Sequence, residues 1–190
     1  QLTSGRLVVP ANHSLEGNIR RSHVFFSDDQ GETWEVGGIV EPATDESQVA
    51  ELNDGRLMMN TRIPDDTHYR GVTISDDGGE SWGPLFYDET LVDPMCQGSL
   101  LNTSKGLYFS NPATQVPQPR DHMTVRLSLD DGQTWPIGRE IDAGPSAYSA
   151  LAELTDGRIG LLWESGDFLP YETIRFAAFN RAWLEAGDEE

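Results

Sequence analysis

Four glycine turns set a ruler along this 190-residue chain. Ser4-Gly5-Arg6-Leu7, Asp54-Gly55-Arg56-Leu57, Ser104-Lys105-Gly106-Leu107 and Asp156-Gly157-Arg158-Ile159 each introduce an apolar run, and their glycines lie 50, 51 and 51 residues apart. A period of that length marks a supersecondary unit used repeatedly, because one such unit cannot bury its apolar face alone and must stack on neighbours. Within a repeat, a run such as Gln48-Val49-Ala50-Glu51-Leu52 enters the turn and Leu57-Met58-Met59-Asn60 leaves it, which is the pattern of a hairpin. A second pair follows in each of the first three repeats, for example Gly71-Val72-Thr73-Ile74, then a second turn and a strand after Trp82. Strands of about four to seven residues, four to a repeat, predict an all-β chain of four-stranded antiparallel blades, a β-propeller. Residues 1–190 read as one partial propeller domain of four blades, and only the acidic tail over residues 181–190 carries a helical pattern.

The second turn of the repeat is nearly the same octapeptide three times: SDDQGETW from Ser27, SDDGGESW from Ser75 and SLDDGQTW from Ser128. Its acids and hydroxyls resemble a reaction site, but a site rarely comes in triplicate. Ser27, Asp29, Ser75, Asp77, Ser128 and Asp130 are expected to hydrogen-bond the backbone of their own turns. Gly31, Gly79 and Gly132 are expected in conformations that other residues resist. Trp34, Trp82 and Trp135 are expected to plug the gaps between neighbouring sheets. A calcium loop does not fit, since the alternating aspartates and the distant glutamate of an EF-hand are missing.

Charge narrows the partners. With 32 acidic against 13 basic residues, the formal net charge of −19 excludes nucleic acid and anionic membrane surfaces, both of which need a basic footprint. The basic residues are arginines apart from Lys105, so an anionic substrate would need a local arginine cluster able to grip a carboxylate in two prongs. The longest apolar runs, such as Ile159 to Trp163, fall far short of the roughly 20 residues of a membrane span. Cys96 is the single cysteine and reads as a small buried apolar residue. His13, His23, His68 and His122 show no metal-ligand spacing, so neither a metal nor another cofactor is implied. The chain opens at Gln1 without a methionine or a basic-then-apolar leader, so a secretion signal is expected to have been removed or to lie upstream.

The pattern S-x-D-x-G-x-[ST]-W at Ser27, Ser75 and Ser128 is the Asp box, and a run of such blades resembles the sialidase, or neuraminidase, superfamily. The segments between the boxes extend the likeness. TDESQVAELNDGRLMMNTR, LVDPMCQGSLL, YFSNP, RDHMTVRLS, SAYSAL and IGLLWES resemble, in order, the later two-thirds of a bacterial exo-sialidase. That resemblance implies a six-bladed propeller with its pocket at one end of the axis and its Asp boxes on the rim, acting on terminal sialic acid glycosides. It also implies three arginines that clamp the sugar carboxylate, a tyrosine nucleophile with a glutamate base, an aspartate acid/base, and a glutamate that steadies the first arginine.

Tyr148, in Ser146-Ala147-Tyr148-Ser149, matches the nucleophile. The substrate explains the choice of residue: its anomeric carbon already bears a carboxylate, and a neutral phenol approaches without like-charge repulsion. A phenol of pKa about 10 is scarcely ionised at neutral pH and needs a base, which Glu46 in Asp45-Glu46-Ser47 matches. Sialidases are a known exception to the usual carboxylate pair of glycosidases in this respect. Arg62 matches the second clamp arginine. Arg120, just ahead of the strand that runs into the last Asp box, matches the third in preference to its competitor Arg126, which lies close to the rim turn. Glu164, in Trp163-Glu164-Ser165, matches the steadying glutamate. Gln97, in Cys96-Gln97-Gly98, falls where some relatives contact the sugar.

The first clamp arginine and the acid/base aspartate are expected upstream of Gln1, and neither is assigned here. The chain therefore reads either as the later part of a longer enzyme or as a smaller closed propeller with retained motifs. Exposed blade edges make the missing front portion, or self-association, an expected partner. Three functions stay open: a retaining exo-sialidase of sialylated glycans, secreted or periplasmic; a non-catalytic propeller that binds glycans or a protein; and a trans-sialidase.

Overall fold

A computed structural model describes residues 1–115 and 119–186, so the last four residues of the acidic tail lie outside the described part. The chain forms two compact units, Gln1–Glu89 and Thr90–Glu190. In the first, β1 (Leu7–Leu15), β2 (Ile19–Ser27) and β3 (Glu35–Val36) make a three-stranded antiparallel sheet. β4 (Ser47–Glu51), β5 (Leu57–Thr61), β6 (Tyr69–Ser75) and β7 (Phe86–Val92) follow in order as a four-stranded sheet. In the second, β8 (Ser99–Thr103), β9 (Gly106–Pro112), β10 (Asp121–Ser128), β11 (Ile137–Glu153), β12 (Ile159–Ser165) and β13 (Thr173–Phe179) form one sheet in chain order. A short helix, α1 (Arg181–Glu185), begins on Asn180, whose side chain accepts from the Trp183 N–H. None of the described helices is long and apolar enough to cross a membrane.

The ruler is made of near-identical turns. The Gly5, Gly55 and Gly157 N–H groups donate to the carbonyls of Leu2, Leu52 and Leu154 at 2.9, 3.0 and 2.8 Å. All four ruler glycines have positive φ, between 77° and 129°, where a side chain would be strained.

Strand length departs from expectation at β11, which runs for 17 residues. Its first part pairs with β10, from Leu127↔Ile137 to Asp121↔Pro145. Its second part pairs with β12, from Ser146↔Ser165 to Glu153↔Ile159. The last strand of the third repeat thus continues into the first strand of the fourth, and no turn intervenes because no reversal of the chain is needed there. The fourth repeat differs as well, since β13 leads into α1 where the other repeats have an Asp box.

Alternation places the core. On β10, Met123, Val125 and Leu127 point inward, and Ile159, Leu161 and Trp163 on β12 join them in one cluster. Each such side chain contributes about 1.5–3 kcal/mol on full burial. In the first unit Val24, Val40 and Met59 form a buried cluster, with Trp82 and Leu85 packed against it.

The three Asp boxes are built alike. The Ser27, Ser75 and Ser128 hydroxyls donate to Asp29, Asp77 and Asp130 at 2.8, 2.7 and 2.7 Å. Each hydroxyl also accepts the N–H of Gly31, Gly79 or Gly132 at 2.8 Å. Each aspartate in turn accepts both the N–H and the hydroxyl of Thr33, Ser81 or Thr134. The serine and aspartate side chains close the turn on itself. Trp135 is 6% exposed beside Phe109, and Trp82 joins the first unit's core. Trp34 departs from the expected plug: it is 45% exposed, and its indole folds back on its own turn, donating to the Gly31 carbonyl at 3.1 Å.

Arg6, at the first ruler turn, ties two boxes together. It reaches Asp28 at 2.8 Å, Glu80 at 3.0 Å and the Gly78 carbonyl at 3.2 Å, with its guanidinium 4.2 Å from the centre of the Phe26 ring.

Candidate functional site

In the first unit, the β4–β5 hairpin sets Glu46 opposite Arg62. Ser47 pairs with Thr61, so the residues just outside the hairpin share one end of it. The Asp45 N–H donates to the Arg62 carbonyl at 3.0 Å and the Arg62 N–H to the Glu46 carbonyl at 2.9 Å, which extends the ladder beyond the strands. Arg62 Nη1 then donates to Glu46 Oε2 at 2.8 Å.

Behind this pair, Asp45 is fully buried. It accepts from Arg20 Nη1 at 2.5 Å and Asn12 Nδ2 at 2.6 Å, and its carboxylate lies 3.7 Å from Arg62 Nε. A buried carboxylate persists only when paired and hydrogen-bonded, and Asp45 meets both conditions. The backbone beneath is set by hydroxyls. Ser22 donates to the Asp45 carbonyl at 2.5 Å and meets Thr61 Oγ1 at 2.8 Å, while Thr44 Oγ1 accepts the Ser22 N–H at 2.7 Å.

In the second unit, Tyr148 sits on an irregularity of β11. Ser146 pairs with Ser165 and Ser149 with Trp163, so β11 carries one residue more than β12 over this stretch. Such a bulge breaks the alternation and re-aims a side chain. Ser146 and Ala147 are both buried, whereas Tyr148 is 36% exposed. The Tyr148 N–H donates to Glu164 Oε2 at 3.1 Å, and the Ser149 N–H donates to Gln97 Oε1 at 3.0 Å. Gln97, Tyr148, Ser149, Leu162, Glu164 and Ile174 line a cavity of about 260 Å³. A larger hollow of about 520 Å³ near α1, between Arg158, Trp163, Phe179 and Trp183, has neither a carboxylate nor a phenol in its wall.

Arg120 lies beside the same strand, since its carbonyl accepts the Ser146 N–H at 3.0 Å. Its guanidinium donates to the Met95 carbonyl at 2.7 Å and to the Tyr171 hydroxyl at 3.3 Å, and its buried Nε meets no hydrogen-bond acceptor among the described residues. Arg126, its competitor, donates instead to Asn111 Oδ1 at 3.3 Å within the β9–β10 pair.

The structure thus joins Glu46 to Arg62 in one unit, and Tyr148 to Glu164 and Gln97 in the other, with Arg120 bonded to the strand that carries Tyr148. Sequence reasoning missed Arg20, Asn12 and Asp45 as a group. Asp45 has only its adjacency to Glu46 as a signal, and Arg20 and Asn12 have none. Tyr171 was missed too, because a lone exposed tyrosine carries no pattern. Among the described residues, no group of three or more His, Cys, Asp or Glu side chains could hold a metal ion.

Comparison with known proteins adds descent to geometry. Residues 1–161 match the model of the BNR repeat-like domain. A sialidase of Micromonospora viridifaciens is 41% identical over 169 residues, covering 84% of this chain and 25% of that protein. A sialidase of Bacteroides fragilis is 30% identical over 176 residues, covering 86% of this chain and 32% of that protein. Among solved structures, a Hadza microbial sialidase superposes with a TM-score of 0.81 at 30% identity, over 96% of this chain and 36% of that one. The chain therefore spans between a quarter and two-fifths of these relatives.

Proposed function

This chain belongs to the BNR-repeat family of sialidases, and from that premise we propose that it carries the nucleophile half of a retaining exo-sialidase site acting on sialylated glycans. The observation that carries the reading is Tyr148 itself: a partly exposed tyrosine on a bulge, at a cavity shared with Glu164 and Gln97.

Tyr148 Oη attacks the anomeric carbon as the bond to the leaving oxygen breaks. The phenol proton goes to a base, the role that the family resemblance gives Glu46, and a general acid, to which no residue here is assigned, protonates the leaving oxygen. Water then attacks the same carbon as its bond to Tyr148 Oη breaks; the proton held by the base returns to the phenolate, the conjugate base of the general acid takes the water's proton, and the sugar leaves with its configuration retained. The resemblance gives Arg62 and Arg120 the role of holding the substrate carboxylate, a role that charge-assisted guanidinium bonds suit. Support for Arg120 comes from its bond to the strand that carries Tyr148 and from a buried Nε that meets no acceptor among the described residues. Glu164 holds the Tyr148 backbone in place. Work on sialylated glycoconjugates fits a secreted or periplasmic protein.

The test is turnover of a fluorogenic sialoside by the protein that carries this chain, with Tyr148→Phe beside it. Loss of at least about 100-fold in kcat on removing the hydroxyl supports the reading. Equal turnover by the variant sinks it. Saturable sialyllactose binding without turnover would assign a glycan-binding propeller instead, and sialyl transfer to an added sugar in preference to water would assign a trans-sialidase.

A further inference from the structure

The residue that follows Tyr148 is held by a side chain where a strand would otherwise pair. The Ser149 N–H donates to Gln97 Oε1 at 3.0 Å, and the Ser149 carbonyl accepts from Gln97 Nε2 at 3.1 Å. One carboxamide therefore supplies both bonds of a ladder rung. The contacts beside it reinforce the clamp: the Leu151 N–H donates to Ser99 Oγ at 3.0 Å, and the buried Ser149 and Ser110 hydroxyls lie 2.8 Å apart.

Gln97 is itself fixed from both sides. Before it, Cys96 is fully buried and its N–H donates to buried Asp93 Oδ1 at 2.9 Å. After it, Gly98 packs so closely that a Cβ there would meet the Phe109 ring at 2.7 Å. The same loop offers its Met95 carbonyl to Arg120. The second hydrogen of Gln97 Nε2 donates to the Gly98 carbonyl at 3.0 Å, so both hydrogens of that amide are engaged within the protein. Gln97 lines the cavity, but it has no donor left for a sugar.

We propose that Gln97 is a positioning residue for Tyr148: by closing the Ser149 rung it fixes the bulge that aims the phenol, and it acts on turnover without contacting the substrate. The inference rests on the sialidase reading of Tyr148. Gln97→Met keeps the length of the side chain and removes both bonds to Ser149. Gln97→Glu keeps the acceptor for the Ser149 N–H and loses the donor until its carboxyl is protonated.

In the protein that carries this chain, Q97M should lower kcat for a fluorogenic sialoside by about 10- to 100-fold while KM stays within about twofold. Q97E should fall between the two, and its kcat relative to the unaltered protein should rise as pH falls and the carboxyl regains its proton. A rise in KM at unchanged kcat would make Gln97 a sugar contact and overturn the proposal, as would kcat within about twofold of normal in both variants. If Q97M does not fold, Q97E decides. If the unaltered protein turns over no sialoside, the sialidase reading fails separately, and amide exchange decides this one. Exchange at the Ser149 N–H should then quicken at least about tenfold in Q97M while Leu107 in β9 stays protected, and unchanged exchange at Ser149 would overturn it.

Discussion

Arg62 Nη1 donates to Glu46 Oε2 across 2.8 Å, and the contact follows from the hairpin that precedes it. The Gly55 turn fixes the β4–β5 register, Ser47 meets Thr61, and the next residues out are brought face to face. Asp45, behind them, holds Arg20 and approaches Arg62 from the buried side. A candidate base and a candidate clamp are therefore one unit, which changes what each substitution measures.

A double-mutant cycle of Glu46→Ala and Arg62→Ala should show a coupling of about 1–2 kcal/mol, because the two side chains are mostly buried and share a direct bond. Chemical denaturation of the four proteins measures it. Strict additivity would mean that the pair contributes nothing beyond its members.

Ser75→Ala should destabilise the chain by about 1–3 kcal/mol. The hydroxyl is buried, donates to Asp77 and accepts the Gly79 N–H, and its loss leaves that N–H without its acceptor inside the turn. The midpoint of urea unfolding should fall at an unchanged slope, and a shift under about 0.5 kcal/mol would show that the box is dispensable.

Acid should unfold the chain through its boxes. The Thr33 hydroxyl, then the Thr33 N–H and the Ser27 hydroxyl, hold Asp29 at about 2. Burial pulls Asp77 upward, but the hydroxyl and N–H of Ser81 and the Ser75 hydroxyl outweigh it, and Asp77 also falls to about 2. Both lie below the unfolded value of about 3.9, so their stabilisation is present above that pH and is lost as pH falls toward about 2. The melting temperature should drop across that window. Asp29→Asn with Asp77→Asn should be less stable at neutral pH and flatter between about pH 4 and 2. An equally steep fall in the double variant would place the acid lability elsewhere.

His122 should behave in the opposite sense. Its bond to Glu140 Oε2 at 2.6 Å raises its pKa against some desolvation, with Asp121 adding attraction. A group raised above its ordinary value of about 6.5 gives its stabilisation below that pH and loses it as pH rises through the folded value. Titration of the ring by NMR should show a midpoint that drops in Glu140→Gln, and a midpoint unmoved by that change would refute the pairing. The effect should weaken in high salt because both groups are substantially exposed.

Gly37→Ala should cost about 1–3 kcal/mol or more, since a Cβ there would lie 2.3 Å from the Gly79 carbonyl oxygen, a backbone atom with little room to yield. A neutral result in thermal melting would mean that the segment after the first box can shift away from the second.

Where the sequence was legible, the interactions were short in chain distance. The Asp boxes close within four residues of each serine or aspartate, so their spelling carries their geometry. The ruler glycines are legible because a left-handed turn needs them. Even Glu46 with Arg62, 16 residues apart, belongs to this class, since a hairpin of known turn fixes who faces whom. The length of β11 was not legible, because a strand that leaves one pairing and enters another needs no special residue at the crossing.

The sequence by itself determined the period, the antiparallel hairpins, the closed box turns and, through the Asp boxes and the segments between them, the family. Tertiary structure alone decided how those parts are braced: Arg20 on Asp45, Arg120 on Tyr171, Gln97 on Ser149. These partners lie 25, 51 and 52 residues apart in the chain. The physical reason is that a hydrogen bond between distant segments depends on where packing carries two backbones, and neither residue alone records that position.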